Sequence, residues 1–87
     1  MSDLTSHIRA LAGPIIVTGA TGFVGANLFH ALRAVRSDVY AVVQKEKNWR
    51  LAEVSDANIV AANLTDPAAV RHLVDATAPK TVFDCVA

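Results

Sequence analysis

Three glycines spaced three apart, in Thr18-Gly19-Ala20-Thr21-Gly22-Phe23-Val24-Gly25, are the residues of this chain best suited to chemistry. That chemistry is anion binding. Gly19 permits a sharp exit from a strand, and Gly22 has no Cβ, so a pyrophosphate can approach the backbone. Gly25, one turn into a helix, lets that helix lie close to a sheet. The exposed N–H groups and the positive end of the helix dipole then face the anion. The spacing departs from Gly-x-Gly-x-x-Gly, and Ala26 rather than lysine follows Gly25, so the turn is not a P-loop. Glycines kept for backbone reasons alone are the competing reading. The placement between a strand and a helix favours nucleotide binding over it.

The flanking residues supply those elements. Ile15-Ile16-Val17, β-branched and bounded by turn residues, predicts a strand covered on both faces. After the turn, Val24, Leu28, Ala31, Leu32 and Val35 predict the apolar stripe of a helix. Arg33 and Arg36 fall where that helix's dipole favours cations. Val39–Val43 reads as a second buried strand, Asn48 to Val54 as a short helix anchored by Trp49, and Ile59-Val60-Ala61 as a third strand. Asp66-Pro67 predicts a helix start with an aspartate cap and proline at the first position. Val70, Leu73 and Val74 are its expected inward face, Pro79 its end, and Thr81-Val82-Phe83 a fourth strand. Leu4, Ile8 and Leu11 place a short helix before the Gly13-Pro14 turn. The order βαβ(α)βαβ predicts an α/β fold with a parallel sheet and right-handed crossovers.

Composition removes other classes. The 87 residues are 53% hydrophobic and 18% charged, with eight basic and eight acidic side chains, too apolar for a disordered segment. The length allows one small domain with a thin core. Zero net charge argues against a nucleic-acid partner or an anionic membrane surface. Cys85 is the single cysteine, so no disulfide scaffold is encoded. Neither a secretory leader nor a membrane-length apolar run is legible, and a soluble cytoplasmic protein is the expectation. His7, His30 and His72 lack metal-ligand spacing. Cys85 has no evident base partner and reads as a buried strand thiol.

Ile15 to Gly25 resembles the opening of the extended short-chain dehydrogenases/reductases, the NAD(P)-dependent epimerase/dehydratase group. Ala62-Asn63-Leu64-Thr65-Asp66 resembles that family's D-L-x-D segment, which cradles the adenine. Val82–Ala87 is similar to its fourth strand, which runs into small residues beside the cofactor. Lys47-Asn48-Trp49-Arg50-Leu51 is similar to the region after strand two in some sugar-nucleotide members. The resemblance implies a leading helix or arm over residues 1–13 and, over 14–87, the N-terminal NAD(P)-binding half-domain of a longer enzyme: a partial, Rossmann-like parallel sheet of about four strands, order 3-2-1-4, with helices on both faces. It implies that Gly19, Thr21, Gly22, Phe23, Val24 and Gly25 surround the diphosphate. Asn63 and Leu64 meet the adenine, and Val86 and Ala87 flank the cofactor from strand four. Asn63 stands where the family has aspartate, and its amide oxygen is expected to accept from the adenine amino group. Val86 is bulkier than the expected alanine and should crowd the cofactor; Asp84 and Cys85 also depart from the pattern.

Gln44, Lys45, Glu46 and Lys47 end and follow the second strand, with Arg50 further on; no carboxylate stands at the strand tip itself, and a solvated polar loop whose Lys and Glu partly cancel is the competing reading. An acidic residue there favours NAD, whereas these cations suit the extra phosphate of NADP, so NADP is placed ahead of NAD. The family's Tyr-x-x-x-Lys pair is missing: Gln44 stands four residues after Tyr40, the sole tyrosine. No catalytic residue is assigned, and the chain alone is expected to be inactive. The expected function is the dinucleotide-binding part of an epimerase, dehydratase or reductase acting on a sugar nucleotide or related carbonyl/hydroxyl substrate. The alternatives are a non-catalytic nucleotide-sensing module and an inactive truncated product. An unpaired fourth-strand edge, with Val82 and Phe83 losing helix cover, invites self-association or docking of the rest of an enzyme.

Overall fold

The computed structural model describes residues 2–44 and 48–86. Its elements are α1 (Ser2–Ala10), β1 (Ile15–Thr18), α2 (Phe23–Arg33), β2 (Val39–Val43), β3 (Ile59–Ala61), α3 (Pro67–Thr77) and β4 (Thr81–Asp84). Two single 3-10 turns, Trp49–Leu51 and Asp56–Asn58, lie between β2 and β3. The four strands form one parallel sheet in the order β3-β2-β1-β4. This is the expected Rossmann-like topology.

The central position of β1 follows from its composition. All four of its residues are buried, as a strand with partners on both edges and cover on both faces requires. Alternate side chains go to opposite faces. Ile15 and Val17, with Val39, Ala41 and Val43 of β2, meet Phe29 and Leu32 of α2, Ile8 of α1 and Leu51. Ile16, with Val42 and Ala62, meets Leu73 of α3 on the other face. The first core is the larger. No helix among the described residues is long and apolar enough to cross a membrane.

Several side chains differ from their expected places. The buried face of α2 is Gly25, Ala26, Phe29 and Leu32, not the stripe beginning at Val24, which is 67% exposed. Ala31 is exposed, while Leu28 and Val35 pack at the edge of the core. The cause is Gly25: its close approach to the glycine turn fixes the rotation of the helix, and Phe29, one turn on, enters the core. Leu51, fully buried, anchors the segment after β2. Trp49, expected in that role, is 76% exposed, with the Arg50 guanidinium carbon 4.5 Å above its ring centre. The expected short helix over Asn48 to Val54 is a single 3-10 turn, capped by the Asn48 side chain accepting from the Arg50 N–H.

Asp66 caps α3 by accepting from the Ala68 N–H, with Pro67 opening the helix as expected. Only Leu73 of its inward face is buried, while Val74 stays 45% exposed. Val82 of β4 is exposed as expected, whereas Phe83 is half-buried against the larger core, because it points to the α2 face. Arg36 serves a different helix from the one its position suggested. Its guanidinium grips Asp38 through two bonds of 2.6 and 2.7 Å. It also donates to the Ile8 and Leu11 carbonyls at the end of α1, at 2.9 and 2.7 Å. Arg36 thus caps α1 and ties it to the start of β2.

Candidate functional site

The chain leaves β1 through Gly19 at φ +65°, a conformation that side chains with a Cβ avoid. A Cβ there would also lie 2.7 Å from the Cys85 carbonyl carbon and 2.9 Å from the Val86 nitrogen, because the exit from β4 crosses directly over it. A Cβ on Gly25 would run into the Gly19 carbonyl group. These two glycines are therefore required by the fold. Gly22 is not. It has φ −81° and ψ 169°, open to any residue, and its nearest neighbour to an added Cβ is the Gly19 oxygen at an ordinary 3.5 Å.

Gly22 is the N-cap of α2, and no side chain caps that helix. The first-turn amides of a helix have no partner within it. Here they come with the positive dipole end and with no Cβ beside them. Neighbouring groups orient the turn. The Gly22 N–H donates to the Gly19 carbonyl at 3.1 Å. The Thr21 carbonyl accepts from Asn48 Nδ2 at 2.9 Å and from Arg50 Nη1 at 3.2 Å. His30 Nε2 pairs with the Arg50 carbonyl at 2.7 Å, so α2 holds the same segment from its other side. The segment after β2 is thereby laced to the glycine turn by Asn48, Arg50 and His30, contacts that the sequence did not reveal.

A cleft of about 370 Å³ opens over the carboxyl ends of the strands. It is lined by Gly19, Thr21, Gly22, Val42, Val43, Gln44, Ala62, Asn63, Leu64, Thr65, Cys85 and Val86. The β1 neighbours diverge here, toward β2 on one side and β4 on the other, which is the switch point where open α/β sheets bind ligands. Of the expected site residues, the structure brings Gly19, Thr21, Gly22, Gln44, Asn63, Leu64 and Val86 to this cleft. Phe23 and Val24 stand exposed on the first turn of α2 and do not line it. Gly25 is buried behind the turn. Lys45, Lys47 and Ala87 lie outside the described residues. Val42 and Val43 line the cleft without having been singled out for it, and Ala62, Thr65 and Cys85 line it from segments to which only the family resemblance had pointed. The ends of β2 and β3, and the Asn-x-Thr turn after β3, were the signs that point to the first four.

A second, more open hollow of about 580 Å³ involves Arg9, Arg33 and residues 34–38. It sits beyond the C-terminal end of α2, and its Arg36 is already spent on Asp38 and the end of α1. The glycine turn and the switch point belong to the smaller cleft, which is the better candidate.

The tips of β1 and β4 are pinned together at the cleft mouth. The Thr18 hydroxyl donates to Asp84 Oδ1 at 2.7 Å, and the Val86 N–H donates to the same oxygen at 3.2 Å. The hydroxyl first, and then the N–H, hold the Asp84 carboxyl below the ordinary carboxylate range. A depressed folded-state value stabilises the fold above about pH 4, and that contribution is lost as pH falls through the folded-state value. Asp84→Asn is expected to be less stable than the parent at pH 6, with the difference narrowing as the pH is lowered below about 4. Urea midpoints across that range check it. Among the described residues no group of histidine, cysteine and acidic side chains is placed to hold a metal. Tyr40 lies within β2, packed against the smaller core.

The turn between β1 and α2, the uncapped helix start and the cleft over the strand ends together form a dinucleotide-type site. The residues present fit such a group, because the Cβ-free face of Gly22 opens where a diphosphate would lie and nothing in the fold demands it. No curated protein and no solved structure matches the chain. The family model for the NAD dependent epimerase/dehydratase family matches residues 15–87, from the first residue of β1 onward. The chain therefore belongs to the NAD-dependent epimerase/dehydratase family.

Proposed function

We propose that this chain binds NADP in preference to NAD, as the cofactor-binding part of an epimerase, dehydratase or reductase. The substrate proposed is a sugar nucleotide or a related carbonyl/hydroxyl compound. The observation that carries dinucleotide binding is Gly22, a glycine that the fold leaves free and the cleft uses. When bound, the nicotinamide group supplies hydride exchange; this chain's residues supply binding and orientation. The first-turn amides of α2 receive the diphosphate. Asn63, Leu64 and Thr65 bound the base end, and Val86 and Cys85 the β4 side.

Two features favour NADP. Gln44 at the end of β2 is uncharged, so the strand tip itself does not repel an added phosphate. Arg50 Nη1 donates to the Thr21 carbonyl at 3.2 Å, which holds the guanidinium beside the glycine turn with further N–H groups left to pair with a phosphate. Lys45 and Lys47 are proposed to reinforce it. The unpaired edge of β4, with Val82 beside it, is proposed to receive the remainder of the enzyme or a second copy.

Calorimetric titration tests the reading. NADP is expected to bind roughly fivefold more tightly than NAD, an advantage that Arg50→Ala removes. Equal affinities in the parent would overturn the NADP preference. Absence of binding by either cofactor at millimolar concentration would overturn the function.

A further inference from the structure

At the base end of the cleft, Asn63 has already used its oxygen. Its Oδ1 accepts from the Thr65 backbone N–H at 3.0 Å and from the Thr65 hydroxyl at 2.7 Å, closing a turn after β3. The Thr65 N–H can only donate, so the atom facing it is the oxygen, and the amide cannot be the other way round. An amide oxygen carries two lone pairs, and both are engaged. What remains of the side chain is Nδ2, a donor without a partner among the described residues. Its residue is exposed and lines the cleft beside Ala62 and Leu64.

The expectation that Asn63 accepts from the adenine amino group is thereby corrected. A carboxylate could close the same turn with one oxygen and offer the other to an amino group. An asparagine offers an N–H instead, and two donors do not pair. We propose that Asn63 makes the base subsite a donor site, which does not read the exocyclic amine of adenine. The subsite then accepts a dinucleotide whose base carries a 6-oxo group as well as one carrying a 6-amino group. This rests on the dinucleotide reading above, which places the diphosphate at Gly22 and the base at the far end of the cleft, by β3.

The discrimination is lost rather than inverted, because each base gains at one point and loses at another. With adenine, Nδ2 can donate to ring N1 while the 6-amino group is left without a partner. With hypoxanthine, the 6-oxo group accepts from Nδ2 while the protonated N1 finds no acceptor. Asparagine to aspartate keeps the Thr65 turn, since one carboxylate oxygen suffices, and turns the free atom into an acceptor.

The experiment is calorimetric titration of the chain and of Asn63→Asp with NAD and with nicotinamide hypoxanthine dinucleotide, alongside urea unfolding of both proteins. The parent is expected to bind the two dinucleotides within about threefold of each other. Asn63→Asp is expected to favour NAD by about tenfold, the effect of one hydrogen bond at a partly exposed site. Unchanged urea midpoints would show that the turn has survived. A parent that prefers NAD by tenfold or more overturns the base-reading proposal while leaving the cofactor reading intact. A parent and variant that bind neither dinucleotide overturn both.

Discussion

Alanine at position 22 is expected to leave the protein folded while weakening dinucleotide binding at least tenfold, a loss of about 1.4 kcal/mol or more. Two opposing effects keep stability nearly level. Alanine is the poorer N-cap, at a cost of about 0.5–1 kcal/mol. It also restricts the unfolded chain, which favours folding by about 0.4–1 kcal/mol where the native backbone is compatible. The backbone is compatible here, with φ at −81° and only an ordinary 3.5 Å contact awaiting the methyl group. The melting temperature should therefore move by no more than about 5 °C. Binding is not protected in this way, because the methyl group stands between the diphosphate and the amides that receive it. Thermal unfolding and calorimetry on the same sample separate the two effects. Binding at parental affinity would mean that the anion does not touch this turn.

Alanine at position 25 is expected to do the opposite and strike the fold itself. Its Cβ would sit 2.8 Å from the Gly19 carbonyl carbon and 3.1 Å from the Ala20 Cα, and closer still to the Gly19 oxygen. All three atoms are backbone, so no side chain can swing aside. Either α2 moves off the sheet or the β1 exit distorts. Moving α2 withdraws Phe29 and Leu32 from the larger core, where both are buried. Overpacking of this kind costs about 2–4 kcal/mol, against about 5–10 kcal/mol of total stability for a small domain. The melting temperature should fall by roughly 10–25 °C. Circular dichroism melts check it, and a parental melting temperature would show that the helix has room to spare. Two glycines three residues apart in one turn are thus expected to have separable roles, one for the ligand and one for the fold.

Much of the architecture was legible in the residues. Short β-branched runs at Ile15, Val39, Ile59 and Thr81, punctuated by the Asp66-Pro67 cap and the glycine turn, sufficed for four parallel strands, and the family resemblance supplied their order 3-2-1-4. Strand identity survives in the sequence because a strand buried on both faces must be apolar along its length, whatever its neighbours are. Helix faces were less legible. The choice between Val24 and Phe29 as the inward residue of α2 is set by Gly25 pressing on Gly19, a contact between segments that periodicity does not see. The same holds for Trp49, where size suggested an anchor and the smaller Leu51 occupies the core.

At the site, the sequence by itself determined that a strand leads through three glycines into a helix, and hence that the first-turn amides of that helix are presented without a capping side chain. It also determined that β2 ends without a carboxylate. Only the tertiary structure decided which glycine is free for a ligand, since Gly19 is confined by the crossing β4 exit and Gly22 is not. It alone decided that Arg36 caps α1, that Asn48 and Arg50 hold the Thr21 carbonyl, and that Thr18 pins Asp84. It also turned Asn63 from an acceptor into a donor. The physical reason is common to all of these. Residue type fixes what a group can donate, accept or bury, but which of those capacities is left over depends on partners that the fold brings from elsewhere.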